Sequence, residues 1–246
     1  MKPRVAFFSF ACCEGCQLAI LNLEREILRL VEIVDIVNFR EAMTEKSDDY
    51  DIAFIEGTLT RQSDEAALKE IRNRAKIVVA LGACATTGGI NVLKNFHPLT
   101  EVKERVYPGC EDYFDTYESR PIDECIKVDY YIHGCPIDNQ EFLKVVKALA
   151  TGQTPFVPTF PVCVECKIKE NVCMYDMGRS CLGPVTRAGC AAICPSFGTG
   201  CEGCRGLIPE PNVDATKDIL AKAGLTPEQV INQFRLFVGY RKENRK

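Results

Sequence analysis

Histidine occurs only twice in the 246 residues, at His97 and His133, so mixed cysteine–histidine zinc chemistry has almost no imidazole to draw on. Basic blocks are missing too, and the net charge is −4, which disfavours nucleic acid as a partner. No apolar run reaches the length of a membrane span. The first such run is broken by Glu14, and no twin-arginine pair occurs, so neither an export signal nor a membrane span is expected and the expected location is cytoplasmic. The glycine-rich stretch Gly82–Gly89 has no lysine at P-loop spacing and no G-x-G-x-x-G pattern, which speaks against a phosphate cradle. It suits a loop whose backbone lies close to a bulky inorganic group.

Cysteine is what the chain has in excess. There are 15, seven before residue 136 and eight after residue 162. In a reducing compartment so many thiols point to metal or redox chemistry rather than to disulfides. With so little histidine, all-cysteine iron–sulfur ligation fits best.

The first half of the chain alternates strand and helix signals. Val5–Phe10 reads as a strand buried on both faces. A cysteine-rich turn, Cys12-Cys13-Glu14-Gly15-Cys16, follows it. The segment from Gln17 to Leu30 then reads as one amphipathic helix, with Ile20, Leu23, Ile27 and Leu30 on one side. Further strands are expected over Val31–Phe39, Asp51–Glu56, Lys76–Leu81 and Tyr130–His133. Ser63 is expected to cap one helix and Asp138 to open another. Residues 91–128 match no element. The alternation predicts a flavodoxin-like, doubly wound α/β sheet over residues 1–152. In such a sheet all strand C-termini share one edge, and ligand sites form there. Cys13, Cys16, Cys84 and Cys135, each next to a strand end, should therefore converge. Cys12 competes with Cys13 for the first place.

Residues 153–246 differ in kind. Pro155, Pro158 and Pro161 mark a semi-rigid linker. From Cys163 to Cys204 the spacing is C-x2-C-x6-C-x7-C-x8-C-x3-C-P-x5-C-x2-C, with little apolar periodicity. Eight thiols suit two four-iron clusters in a ferredoxin-like domain with little regular structure, followed by C-terminal helices. The eight, Cys163, Cys166, Cys173, Cys181, Cys190, Cys194, Cys201 and Cys204, are assigned as one set, and Cys190-x3-Cys194-Pro195 is like the end of a ferredoxin cluster run. Structural zinc on the two C-x2-C pairs is the competing reading, and would make the chain an interaction module. Two helices are expected near the end, the second opening at Thr226-Pro-Glu-Gln229 and turning Ile231, Phe234 and Phe237 one way. Glu14 and Glu56 stand at the expected edge, as caps or as a proton relay beside the metal. His97 and His133 read as structural, and Cys110 and Cys125 as surplus thiols.

Taken together, Cys13-Glu-Gly-Cys16-Gln-Leu, Ile55-Glu-Gly57, Val79-Ala-Leu-Gly-Ala-Cys84, Gly134-Cys135-Pro136, Pro161-Val-Cys-Val-Glu-Cys166, Cys181-Leu-Gly-Pro-Val-Thr-Arg-Ala-Gly-Cys190 and Gly200-Cys-Glu-Gly-Cys-Arg-Gly206 resemble the small subunit of [NiFe] hydrogenases. The nearest likeness is to the cytosolic sulfhydrogenase delta type linked to NAD(P). The resemblance implies a proximal [4Fe–4S] cluster on Cys13, Cys16, Cys84 and Cys135, and medial and distal [4Fe–4S] clusters on the other eight. It implies a nickel–iron centre on a partner large subunit, and a flavin or iron–sulfur subunit as electron partner. The tandem Cys12-Cys13 is also similar to the cluster-bearing subunit of the related quinone oxidoreductases.

Overall fold

Strands rich in Val, Ile, Phe and Ala on both faces can be stable only when both faces are covered, and that dictates the architecture. The computed structural model describes residues 2–237. The chain divides into two compact units, Met1–Pro155 and Phe156–Lys246.

In the first unit, β1 (Arg4–Ser9), α1 (Gly15–Leu21), α2 (Arg25–Ile33), β2 (Asp35–Phe39), β3 (Ile52–Glu56), α3 (Gln62–Arg74), β4 (Ile77–Leu81), α4 (Gly82–Thr87), α5 (Leu99–Val106), β5 (Tyr130–Ile132) and α6 (Asn139–Ala150) follow in order. All strand pairs are parallel, in the order β2-β1-β3-β4-β5. This is the flavodoxin-like winding expected from the sequence. The two-residue period of a strand sorts side chains between the faces. Val5, Phe7, Ile52, Phe54, Val79 and Leu81 point to the side covered by α1, α2 and α6. Ala6, Ala53, Ile55, Val78 and Ala80 point to the opposite side, with Leu68 and Ile71 of α3. Phe7 stacks on Phe39 at 4.4 Å and on Phe54 at 5.2 Å, while Phe142 of α6 meets Phe54 edge-on at 5.5 Å.

Four local expectations change. The helix expected over 17–30 is two helices, because the chain turns at Asn22–Glu24, where Glu24 takes a φ of 50°. Ile20, Leu23 and Leu30 stay buried across the break. The second strand starts at Asp35 rather than Val31, since Val31–Ile33 close the last turn of α2. α3 starts two residues earlier than a Ser63 cap would require: the Asp64 carboxylate accepts the Thr60 and Arg61 N–H groups, both at 3.1 Å. Gly82–Gly89 is not a plain loop. It holds the single helical turn α4 and leads into a 3-10 turn over Gly89–Phe96.

A further difference lies in residues 91–128, which match no element in the sequence but contain α5 and short 3-10 turns, with polar side chains tying them down between the buried Val92 and Ile122. Asn95 and the Ser119 backbone exchange two hydrogen bonds at 2.7 and 2.8 Å, and Tyr117 donates to Glu65 at 2.9 Å. Such a fastening leaves no apolar period to read.

In the second unit, α7 (Val162–Ile168) and the four-residue α8 (Ile193–Ser196) carry cysteines, and α9 (Val213–Lys222) and α10 (Pro227–Arg235) follow. Its buried groups are small. One comprises Val162, Met174, Cys181, Ala192 and Cys201, and the other Leu182, Val185, Leu220 and Val230. Two of the five members of the first are thiols, so sulfur stands where a larger domain would place leucine. The capping box at Thr226 and Gln229 forms. The inward stripe that follows is Val230, Phe234 and Phe237, because Ile231 is half exposed.

Asp51 pins the start of the sheet. Its carboxylate accepts the Arg4 N–H at 2.8 Å and pairs with Lys76 at 2.8 Å, and these partners hold its pKa near 2. A depressed carboxyl contributes stability above its ordinary value of 3.8 that is lost as pH falls toward 2. Asp51→Asn is expected to remove that part of the acid sensitivity and to lower stability by about 1–2 kcal/mol at neutral pH, measured by urea unfolding across pH.

Candidate metal centres

Parallel strands bring four chain segments to one edge. Beyond β1, Ala11 pairs with Thr58 beyond β3, and the chain then passes Cys12 and Cys13 into α1, whose first turn carries Cys16. β4 runs into α4 with Cys84, and β5 into Gly134-Cys135. The Ala83 N–H donates to the Gly134 carbonyl at 2.6 Å, which ties the Cys84 and Cys135 turns together. Gly82, at φ 80°, lies against the Cys16 sulfur so closely that any side chain would overlap it. A Cβ at Gly89 would stand 3.1 Å from the Cys84 sulfur.

The electrostatics of the thiols mark them as neighbours. Burial pushes the Cys84 thiol up to about 12, and the charges of Cys135, Cys12, Cys13 and Glu56 add to the rise. Cys16 is raised by burial, then by Glu56 and by Cys84. Cys135 is raised by burial, Cys13 and Glu56. Cys12 reaches about 12 through burial and Glu56. The edge therefore gathers five thiols, with both members of the tandem acting on Cys84. Uncompensated thiolates would be costly there. A metal that binds them must displace their protons, and in doing so offsets that cost.

Glu56 ends β3 fully buried. It accepts the Cys16 N–H at 3.2 Å, the Gln17 N–H at 3.1 Å and the Gln17 side-chain amide at 3.2 Å. It thus satisfies the free N–H groups of the first turn of α1, the turn that holds Cys16. Burial raises its carboxyl against the pull of those bonds. Glu14 lies nearer the rim, where it adds to the rise of Cys12: it takes a φ of 58°, accepts from Ser9 at 3.0 Å and pairs with Arg40.

The eight thiols of the second unit fall into two neighbourhoods. Cys163, pushed up to about 11 by burial, responds to Cys181, Cys166 and Cys173. A Cβ on Gly183 would stand 3.3 Å from the Cys181 sulfur and 3.4 Å from that of Cys163. Cys194 responds first to Cys190, and Cys201 to Cys181 and Cys204. The Cys201 N–H reaches the Cys181 sulfur at 3.2 Å, where the two neighbourhoods adjoin. Glu165 accepts the Gly189 N–H at 2.9 Å and the Ala192 N–H at 3.2 Å, clamping the turn of Cys190 and Cys194, in which Ala191 and Ala192 both take positive φ. Tyr175 donates to the Cys181 carbonyl, and the buried Arg205 guanidinium lowers the Cys190 thiol against its burial.

Sequence reasoning passed over Glu165, Tyr175, Arg205, Gln17 and Asn91. Glu165 stands inside its C-x2-C pair and Arg205 follows Cys204, so adjacency was a usable signal for both. Tyr175, Gln17 and Asn91 carried none. Cys110 is exposed and Cys125 lies beside Glu65, away from the five thiols. His97 is exposed, while His133 is buried and stacks on Tyr131. Among the described residues, no three His, Cys, Asp or Glu side chains are arranged to hold a single metal ion. The donor set is thiol throughout, with glycine backbone against sulfur in both units, and it fits iron–sulfur ligation.

Comparison with known proteins gives the family. Residues 13–149 match the family described as NADH ubiquinone oxidoreductase, 20 Kd subunit. Sulfhydrogenase 2 subunit delta of Pyrococcus furiosus is 37% identical over 237 residues, 95% of this chain and 98% of the relative. The chain belongs to the small-subunit family of [NiFe] hydrogenases. A vhu subunit of the F420-non-reducing hydrogenase of Methanocaldococcus jannaschii is 32% identical over 281 residues, covering 96% of each chain. A chain of an NAD+-reducing [NiFe]-hydrogenase crystallised in the H2-reduced state superposes with a TM-score of 0.56 at 28% identity, over 64% of this chain and 96% of that one. The family model ends before Cys163, whereas the first two relatives run through the cysteine-rich second unit. This small subunit is therefore an electron-transfer component of an oxidoreductase acting on dihydrogen. No helix among its described residues is long and apolar enough to cross a membrane.

Glu56→Gln turns one acceptor oxygen into a donor facing the N–H groups of Cys16 and Gln17. It is expected to destabilise the chain by about 1–3 kcal/mol, read as a lower denaturant midpoint.

Proposed function

We propose that this chain carries electrons between a nickel–iron site on a partner large subunit and a further flavin or iron–sulfur subunit, through three [4Fe–4S] clusters. The observation that carries the reading is the gathering of Cys13, Cys16, Cys84 and Cys135 on one sheet edge, with eight more thiols in two neighbourhoods of the second unit. Cys163, Cys166, Cys173 and Cys181 would hold one cluster there, and Cys190, Cys194, Cys201 and Cys204 the other. The proposal includes a cytoplasmic complex and an acceptor of the NAD(P) type or a sulfur-linked one; the relatives' names, a sulfhydrogenase and an NAD+-reducing hydrogenase, support the acceptor.

When bound, the clusters supply one-electron relay. The protein's own part is to hold them and to set their potentials, through burial and hydrogen bonds to sulfur. Glu56 fixes the turn of Cys16 and, with a raised carboxyl in a buried place, is suited to hold or pass a proton beside the first cluster. Glu14, itself left-handed and paired with Arg40, is the outer candidate for the same relay. Glu165 and Tyr175 hold the backbone around Cys190 and Cys181, and Arg205 offsets negative charge near Cys190.

Anaerobically purified complex is expected to contain roughly twelve irons and matching acid-labile sulfide per copy of this chain. Cys84→Ser should lower the iron by about a third and abolish or alter one EPR signal of the reduced protein. Co-purification with a nickel-containing subunit is expected. Zinc without sulfide would refute the proposal, and four irons per chain would shift it toward the quinone-oxidoreductase type. Glu56→Gln is expected to slow turnover with iron unchanged; unaltered turnover would remove the proton role and leave only the capping one.

A further inference from the structure

Asn91 belongs to no cysteine motif. It lies half-buried in the 3-10 turn over Gly89–Phe96, yet its side chain reaches three groups at the sheet edge. The amide nitrogen stands 2.8 Å from the Ala11 carbonyl, 3.0 Å from the Thr58 hydroxyl and 3.8 Å from the Cys84 sulfur. A carbonyl oxygen can only accept, so the NH2 end of the amide must face this corner. The Thr58 hydroxyl is within reach of the Cys84 and Gly88 carbonyls, at 3.3 and 3.2 Å, and donates in their direction, which turns its lone pairs toward Asn91. With two N–H groups for three acceptors, the amide gives one to the Ala11 carbonyl and shares the other between the Thr58 hydroxyl and the Cys84 sulfur, so one side chain joins the residue before the Cys12-Cys13 tandem to the sulfur of Cys84.

The other sulfur donors at this edge are of a different kind. Cys12 accepts from the Glu14 backbone N–H and Cys16 from that of Ile137. A backbone donor survives every substitution but proline, whereas the Asn91 amide is a side chain that can be exchanged.

We propose that Asn91 is a positioning residue that raises the reduction potential of the centre held through Cys84, by donating an N–H···S hydrogen bond to that ligand. The inference rests on the reading of Cys84 as a cluster ligand. Adding an electron increases the negative charge on the sulfurs, and a hydrogen bond to charge is stronger than one to a neutral atom. The donor therefore stabilises the reduced state more than the oxidised one. Because an amide does not titrate, the effect is independent of pH over the working range.

The test is an EPR-monitored redox titration of the complete complex, in which the signal lost in Cys84→Ser identifies the centre. Asn91→Leu keeps the volume and removes the donor. It is expected to lower the potential of that signal by about fivefold in the reduction equilibrium, about 40 mV at 59 mV per decade for one electron. The other signals should not move, and Asn91→Gln, which keeps an amide donor, should recover part of the shift. An unchanged potential in Asn91→Leu with iron content intact overturns the proposal, as does an equal shift in Asn91→Gln, which would mark a packing effect. Should Asn91→Leu lose iron, Asn91→Ala removes the donor without adding a charge: a lowered potential supports the role, an unmoved one overturns it. If Cys84→Ser leaves every signal and the iron count unaltered, it is the cluster assignment that fails, not the hydrogen-bond argument.

Discussion

Parallel pairing of five short strands is the constraint on which the rest of the first unit depends. A parallel strand cannot turn straight back into its neighbour, so every crossover passes over a sheet face and every strand ends at the same edge. The helices that make these crossovers cover the two faces and permit strands of uninterrupted apolar residues such as Ile77–Leu81. The edge left over is where the chain must turn repeatedly, and it is there that the cysteines lie. Glu56 joins the two requirements. Its backbone completes β3 opposite Leu81, and its carboxylate ends the first turn of α1 beneath Cys16.

Burying thiols has a cost that shapes both units. In the absence of metal, burial drives Cys16, Cys84 and Cys201 toward the protonated form, and each neighbouring thiol makes ionisation harder. The site is thus organised to release protons when it is filled, and the free energy of filling it becomes part of the folding free energy. The second unit shows this most plainly. Its buried apolar groups are few, and cysteine side chains complete them. The close glycine contacts follow from the same economy of space, since at Gly82 even one methyl group would displace the Cys16 sulfur.

Much of this was legible. Val5–Phe10 and Asp51–Glu56 announce buried strands because β-branched and aromatic residues follow one another without a polar face. Asp138 announces the start of α6, and its carboxylate does accept the Glu141 N–H at 2.8 Å. Other features were hidden for stated reasons. Alternation over Val31–Phe39 suits a strand or the end of an amphipathic helix equally, and the packing of Leu30 decides between them. Ser63 and Asp64 are both good capping residues, and only the path of Thr60 and Arg61 selects the aspartate. The segment 91–128 has no clear period because its buried apolar residues, Val92 and Ile122, stand far apart and polar side chains tie down much of what lies between.

By itself, the sequence determined the sheet, its winding and the wealth of thiols at strand ends and in the second unit, since hydrophobic period and cysteine spacing are local properties of the chain. Tertiary structure alone decided which thiols are neighbours: Cys84 with Cys135, Cys12 and Cys13, and Cys163 with Cys181. It also recruited Asn91 and Tyr175, whose contacts with the cysteine turns come from the path of the backbone. Hydrogen bonds and charge act over a few ångströms in space and take no account of distance along the chain, which is why no spacing could have foretold them.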